Sequence, residues 1–407
     1  MSGSIKRPRI DKQSINADDD EVKRKLQWVA LKEWIRENGG DVHDGLDWNA
    51  KQRQVATTSS LSKGTKVAKI PSKCLLSLQT LQKYDETSSE NSGEYEADAA
   101  LAWALAHARW SKSSTTMSDG SKELDSTNIS PFEPYFATLP ESFEHLPRYW
   151  PAETRDKLLG GSPLLNRIQN QNIKEKYDKQ KQQQQRKHSS KSNDDKSDND
   201  KFPTLEQFDY MMAAISSRAF GGLVKRRDST PEEELDCLCP FLDLLDHCRG
   251  SSGSASGPKK NVKYYVNKRT EGEGGDDDND ALIVELIDDL PANTTLRDTY
   301  GARGNGQLLI NYGFCIPNNI EPDGSCNDVL DFHYEGEDSS SMVELRLGPK
   351  SYTYGPFVKA LELFYDRPQQ PTSQRKTRTD PALPWHWCRT MTEHPPPSWP
   401  GCHPSPS

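Results

Sequence analysis

Long apolar runs are missing from this chain of 407 residues. No stretch reaches about 18 consecutive apolar residues, so no segment is expected to cross a membrane as a helix. A basic excess is missing too. The 52 Lys and Arg stand against 61 Asp and Glu, a net charge of −9, which argues against a general nucleic-acid binder. Hydrophobic residues make up 33% and mean hydropathy is −0.89, so part of the chain must be insert or tail rather than core. Met1 to Asp20 lacks the apolar centre of a secretory signal, and Asp18-Asp19-Asp20-Glu21 is too acidic for an organelle transit peptide. A cytoplasmic and/or nuclear protein is therefore expected, with Lys6-Arg7-Pro8-Arg9 as a candidate nuclear address.

Paired metal-ligand spacings are also scarce. Eight cysteines are scattered along the chain, and Cys237, Cys239 and Cys248 are the nearest to a cluster. Tetrahedral zinc needs four ligands and no fourth follows, so no metal is expected. The remaining thiols are expected reduced. The acidic run Glu271 to Asp280 lacks the alternating Asp spacing of a calcium loop and reads as a solvated hairpin.

Periodicity supplies the scaffold. Leu26, Val29, Ala30 and Trp34 recur at helical intervals, with Leu31 and Ile35 widening the stripe, and Asn38-Gly39-Gly40 ends the helix. Short strands are expected between Val55 and Leu78, turning at Lys63-Gly64. Ala99 to Trp110, Leu158 to Ile168 and Phe208 to Phe220 read as helices, and Val262 to Val266 and Ala281 to Ile287 as strands. Residues 1–20, 171–201 and 367–407 are polar or Pro-rich and are expected to be disordered; the middle one lacks any apolar heptad.

Two stretches are dense in chemistry. Thr299 to Phe314 holds two Tyr-Gly pairs, Tyr300-Gly301 and Tyr312-Gly313, around a Gly-rich turn and the apolar run Leu308-Leu309-Ile310. Two tyrosines entering and leaving such bends can face one pocket. Some 53 residues upstream, Cys239 to Cys248 sets Asp243, Asp246 and His247 into an apolar run. Buried polar groups of this kind need partners and often mark a site.

These stretches resemble the SET-domain methyltransferases, in the branch similar to Rubisco large-subunit lysine methyltransferase. That branch carries P-F-x-D-x-x-N-H and then Y-G-x-x-S-N-x-x-L-L-x-x-Y-G-F. Here Pro240-Phe241, Asp243 and Asp246-His247 match the first, and Tyr300-Gly301, Asn305, Leu308-Leu309 and Tyr312-Gly313-Phe314 match the second. The resemblance implies an α+β SET fold over residues 26–316, with small curved sheets around a knotted active-site segment and a helical insert near 85–235. Residues 317–366 would begin a truncated C-terminal substrate-binding region. It implies S-adenosylmethionine as cofactor and a lysine-bearing protein as substrate, with no nucleic-acid or membrane partner and a monomeric chain. By the same resemblance Tyr300 is catalytic. Tyr312 and Phe314 line the substrate pocket. Arg218, Asp243, Asp246, His247 and Tyr312 bind cofactor. Tyr312 favours lysine, because a related branch that methylates histidine lacks that tyrosine. Two positions depart from the family. Its G-x-G segment falls on Gln52-Arg53-Gln54, or shifted by one residue, with no glycine between Gly45 and Gly64 in either register, and a side chain there can block backbone from a ligand; Asp246 replaces an asparagine. The alternative reading is a SET-like interaction module without catalysis.

The chemistry sets its own demands. Lysine, with a pKa of about 10.4, is mostly protonated at neutral pH and must lose its proton to act as a nucleophile. An apolar aromatic channel disfavours the ammonium, and a hydroxyl on its wall can orient the amine.

Overall fold

The computed structural model describes residues 17–49, 54–82, 94–110, 130–189, 202–225, 234–248, 259–267, 280–316, 319, 327–335 and 340–346. All of them belong to one unit, Met1–Tyr352. The expected tail 367–407 and Gln52 and Arg53 lie outside the described residues.

The first helix, α1 (Ala17–Glu37), begins inside the expected tail. Its buried stripe is Trp28, Leu31, Trp34 and Ile35, whereas Leu26 and Val29 are 65% and 44% exposed. The tryptophan decides this rotation: Trp28 stacks on Phe241, with ring centroids 6.2 Å apart. Gly39, at φ +84°, ends the helix, where the left-handed turn favours glycine.

Short strands then build a four-stranded antiparallel sheet from β1 (Asp41–Val42) and β4 (Lys66–Pro71), later joined by β9 (Val262–Asn267) and β10 (Ala281–Leu286) in the order β1-β4-β10-β9. A hairpin of β2 (Leu46–Asn49) and β3 (Gln54–Thr57) lies beside it in sequence. The outer edge of β3 is tied to the segment after β10: Leu296 N–H donates to Val55 O, and Ala56 bridges Thr295. Next come β5 (Leu76–Ser77) and α2 (Leu78–Gln82).

The helical insert follows: α3 (Glu94–Trp110), α4 (Glu133–Phe136), α5 (Ala152–Leu159), α6 (Pro163–Gln169), α7 (Ile173–Ser189) and α8 (Leu205–Arg218). Alanines 99, 100, 102, 104 and 106 are buried along α3, and Phe208, Met211, Met212 and Ile215 are buried along α8. Small residues let helices approach closely, and Trp103 fills the junction against Tyr177, Phe202 and Phe208. A Thr204/Gln207 capping box opens α8.

Three expectations need correction here. Residues 173–189 form a helix rather than a disordered stretch. The buried face of α7 is Tyr177, Gln180 and Gln184, spaced i, i+3, i+7, and the Tyr177 hydroxyl donates to Pro203 O at 2.9 Å. The expected helix at 158–168 is two, split at Gly160-Gly161, with Gly161 at φ +77°. The insert is not purely helical: α8 runs straight into β6 (Ala219–Lys225), which pairs with β7 (Glu234–Leu238), and β7 with β5.

Beyond the insert, β8 (Asp246–His247) pairs in parallel with β11 (Arg297–Asp298). Then come α9 (Asn305–Tyr312) and a hairpin of β12 (Val329–Glu335) and β13 (Ser340–Arg346). Among the described residues of 317–366, the secondary structure is this hairpin. Among the described residues no helix is long and apolar enough to cross a membrane, and no group of three or more His, Cys, Asp or Glu could hold a metal ion.

Candidate active site

The site is built where β8 and β11 run side by side. The chain leaves β7 through Cys239-Pro240 and reverses at Phe241, at φ +73° and ψ −52°. A bulky residue at positive φ is strained and persists only where its surroundings hold it. Here the ring is fully buried against Trp28. The bend and the 3-10 turn Leu242–Leu244 aim Asp243 inward.

Asp243 is closed off. Its side chain has no exposed surface. Oδ2 accepts from the Tyr135 hydroxyl at 2.9 Å and from Arg218 Nη1 at 3.3 Å, and the same Nη1 donates to Asp243 O at 2.9 Å. Arg218 comes from the last turn of α8, where the helix dipole favours a cation. Its buried Nε has no hydrogen-bond partner among the described residues. Burial pushes the Tyr135 hydroxyl well up, with the Asp243 charge adding to it, so this tyrosine stays a neutral donor.

Three residues on, Asp246 is half-buried. Its Oδ2 accepts from Gln54 Nε2 at 2.5 Å, and the Thr295 hydroxyl donates to Gln54 Oε1 at 3.3 Å. Burial raises the Asp246 carboxyl above the usual range, opposed by Arg297 and the Gln54 hydrogen bond. Next to it, His247 Nδ1 accepts the backbone N–H of Tyr300 at 3.0 Å. That bond leaves Nδ1 without a proton.

The aromatic part comes from the Thr299–Phe314 stretch. The Tyr300 hydroxyl donates to Leu245 O at 3.0 Å. Its ring stacks on Tyr312, with centroids 4.8 Å apart and planes at 27°. The His247 ring lies 4.8 Å from Tyr300 and 5.9 Å from Phe314, and Tyr312 lies 6.1 Å from Phe314. Burial drives the Tyr300 hydroxyl far above its ordinary value and raises that of Tyr312. Neither is a base near neutrality.

Two glycines set this geometry. Gly301 turns the chain at φ +91°, and Gly313 ends α9 in the left-handed region at φ +77°. Of the turn glycines, Gly304 is instead extended, at φ −68°; it is small because Asn327 O lies 2.5 Å from where a Cβ would stand. Asn305 ties the stretch together: its Oδ1 accepts from Ile316 N, and its Nδ2 donates to Ile316 O and Asp328 Oδ2.

The structure thus brings His247, Tyr300, Tyr312 and Phe314 into one cluster, with Asp246 at its edge. It pairs Arg218 with Asp243 beneath. Tyr135, Gln54 and Thr295 complete the site without having been picked out as site residues. In the sequence Gln54 stands out only as a side chain near the family's glycines, and no local signal marks its reach to Asp246.

Solved structures share this arrangement of elements. The SET domain of LSMT bound to lysine and AdoHcy superimposes with a TM-score of 0.56 over 79% of this chain and 67% of that one, at 16% identity. Rubisco LSMT bound to AdoMet gives 0.52 over 80% and 68%, at 15% identity. The fold is that of a SET domain. No family model matches the chain. Among curated proteins, N-lysine methyltransferase SETD6 of Bos taurus is 24% identical over 206 residues, 50% of this chain and 39% of that protein. Ribosomal lysine N-methyltransferase set10 of Schizosaccharomyces pombe is 28% identical over 118 residues, 28% of this chain and 18% of that protein. The chain therefore spans about two fifths or less of these relatives' length. Small separate sheets around a SET-type site, with a helical insert, agree with the α+β expectation.

Proposed function

We propose that this SET domain is an S-adenosylmethionine-dependent protein-lysine N-methyltransferase acting on a lysine side chain of a protein. The observation that carries the reading is the stacked Tyr300–Tyr312 pair closed by His247 and Phe314, with the Leu245 carbonyl at its end. The lysine-bound and AdoHcy-bound likeness supports it.

The charged groups suit the donor at both ends. The buried Arg218 Nε, without a partner among the described residues, fits a carboxylate. Asp246, whose Oδ2 alone takes a hydrogen bond from a described residue, offers Oδ1 to an ammonium. When bound, S-adenosylmethionine supplies an electrophilic methyl group on a cationic sulfur. The residues of this chain do the rest. Exclusion of water beside the Tyr300 and Tyr312 rings disfavours the desolvated lysine ammonium, so the side chain gives up its proton to solvent and enters as the neutral amine. The faces of the rings tolerate a neighbouring positive sulfur. The Tyr300 hydroxyl, neutral and anchored on Leu245 O, orients the amine without competing as a nucleophile, and confinement supplies near-attack geometry.

The test is calorimetric titration of the chain with S-adenosylhomocysteine, followed by methyl transfer into cell-extract protein, with Tyr300→Phe in parallel. The variant should bind as wild type does and transfer about 100-fold more slowly, the scale of one lost hydroxyl contact in a reaction centre. A folded protein that binds no donor would leave the second reading, a non-catalytic interaction module. That reading is favoured by the lack of glycine between Gly45 and Gly64, where the family carries its G-x-G segment.

A further inference from the structure

We infer that Gln54 is a positioning residue: its carboxamide holds Asp246 through one oxygen and keeps the other turned to the donor's ammonium. This rests on the methyltransferase reading above. Gln54 is fixed at both ends of its amide. Thr295 donates to its oxygen and Asp246 Oδ2 accepts from its nitrogen; a flipped amide would set its oxygen against the Asp246 carboxylate, which only accepts. The backbone is equally fixed. Gln54 pairs with Asn49 in the β2–β3 hairpin, and the next residues are held by Leu296 N–H and the Ala56–Thr295 bridge. The carboxamide therefore reaches Asp246 from a rigid edge, across 192 residues of sequence.

A neutral donor at this position tunes charge as well as direction. The groups that act on Asp246 are Arg297 from β11, which favours its ionised form, and Cys248 and Tyr300, whose own ionisation Asp246 opposes. Burial works against the carboxylate, and the Gln54 hydrogen bond works for it. Removing Gln54 leaves Asp246 harder to ionise and free to rotate. An ammonium ligand would then lose its partner at a higher pH than it does in the wild type.

The experiment is titration of the full chain with S-adenosylhomocysteine from pH 5 to pH 8.5, for wild type, Gln54→Ala, Thr295→Val and Asp246→Asn. Wild type should show affinity falling toward acid. In Gln54→Ala that fall should begin at higher pH, with binding about tenfold weaker within it, the scale of one hydrogen bond to a charged group. Thr295→Val should move it in the same direction by less, and Asp246→Asn should abolish it. An acid limb that stays in place in Gln54→Ala overturns the inference alone. So does tighter binding at every pH, which would make Gln54 an obstruction. Absence of binding by the folded wild type at any pH removes the donor reading, and this inference with it.

Discussion

Asp243 and Asp246 stand three residues apart, one on the 3-10 turn and one opening β8, and they occupy different media. Asp243 is wholly enclosed and faces Tyr135 and Arg218. Asp246 is half-buried and faces an amide, with its second oxygen turned from any described donor. A carboxylate taken fully from water persists only when paired and hydrogen-bonded; Asp243 has both, from the insert (Tyr135 on α4, Arg218 on α8). It locks the insert onto the turn that precedes β8. Asp246 has kept partial exposure and a raised pKa, as groups awaiting a ligand do. On the reading proposed above, the enclosed acid serves the fold and the half-buried one is left for the ligand, and sequence proximity says nothing of which is which.

The sharpest test of that contrast is Asp243→Asn. It leaves the Arg218 guanidinium, 16% exposed, without its counter-charge, and removal of one partner of a buried pair costs about 3–5 kcal/mol. Chemical denaturation should show that loss, with donor binding falling only as the fold does. Equal stability of Asp243→Asn and wild type would break the division of labour. Tyr135→Phe follows in size. It deletes the other donor to Oδ2, and a hydrogen bond to a charged group contributes about 1.5–3 kcal/mol. The ring packing with Phe136 would remain.

How far the sequence foretold this depends on the range of each contact. Tyr300, Tyr312 and Phe314 lie within fifteen residues, and the glycines at 301 and 313 bend the chain between them, so their meeting was readable from local pattern. His247 meets them because Tyr300 N–H binds its ring, and motif order alone pointed to that. The partners Tyr135 and Gln54 are 108 and 192 residues from the acids they touch. No local signal spans such distances; only the packing of the insert and the β3 edge brings them in. Helix α7 was missed for another reason. Its inner face is one tyrosine and two glutamines, and such a face has almost no hydrophobic period; the Tyr177 ring and its hydroxyl bond to Pro203 O anchor it instead.

The smallest effect is expected from Asp246→Asn, and its sign separates the two acids. Burial raises the folded-state pKa of Asp246 above its unfolded value, which for Asp is about 3.9. The folded state then holds its proton more tightly than the unfolded state. Stability from this group is present below about pH 4 and is lost as pH climbs from there through the raised folded value. At neutral pH the ionised carboxylate is therefore a burden to the fold. An asparagine removes that burden while its oxygen can still accept from Gln54. Asp246→Asn should melt slightly above wild type at pH 7, with the gain shrinking toward pH 4, and it should bind S-adenosylhomocysteine more weakly at pH 7. Asp243→Asn should melt well below wild type at the same pH. Opposite signs from two identical substitutions three residues apart would establish that this segment carries one acid for the fold and one for the ligand. A loss of stability in both at pH 7 would show instead that the Gln54–Asp246 pair is a second structural lock.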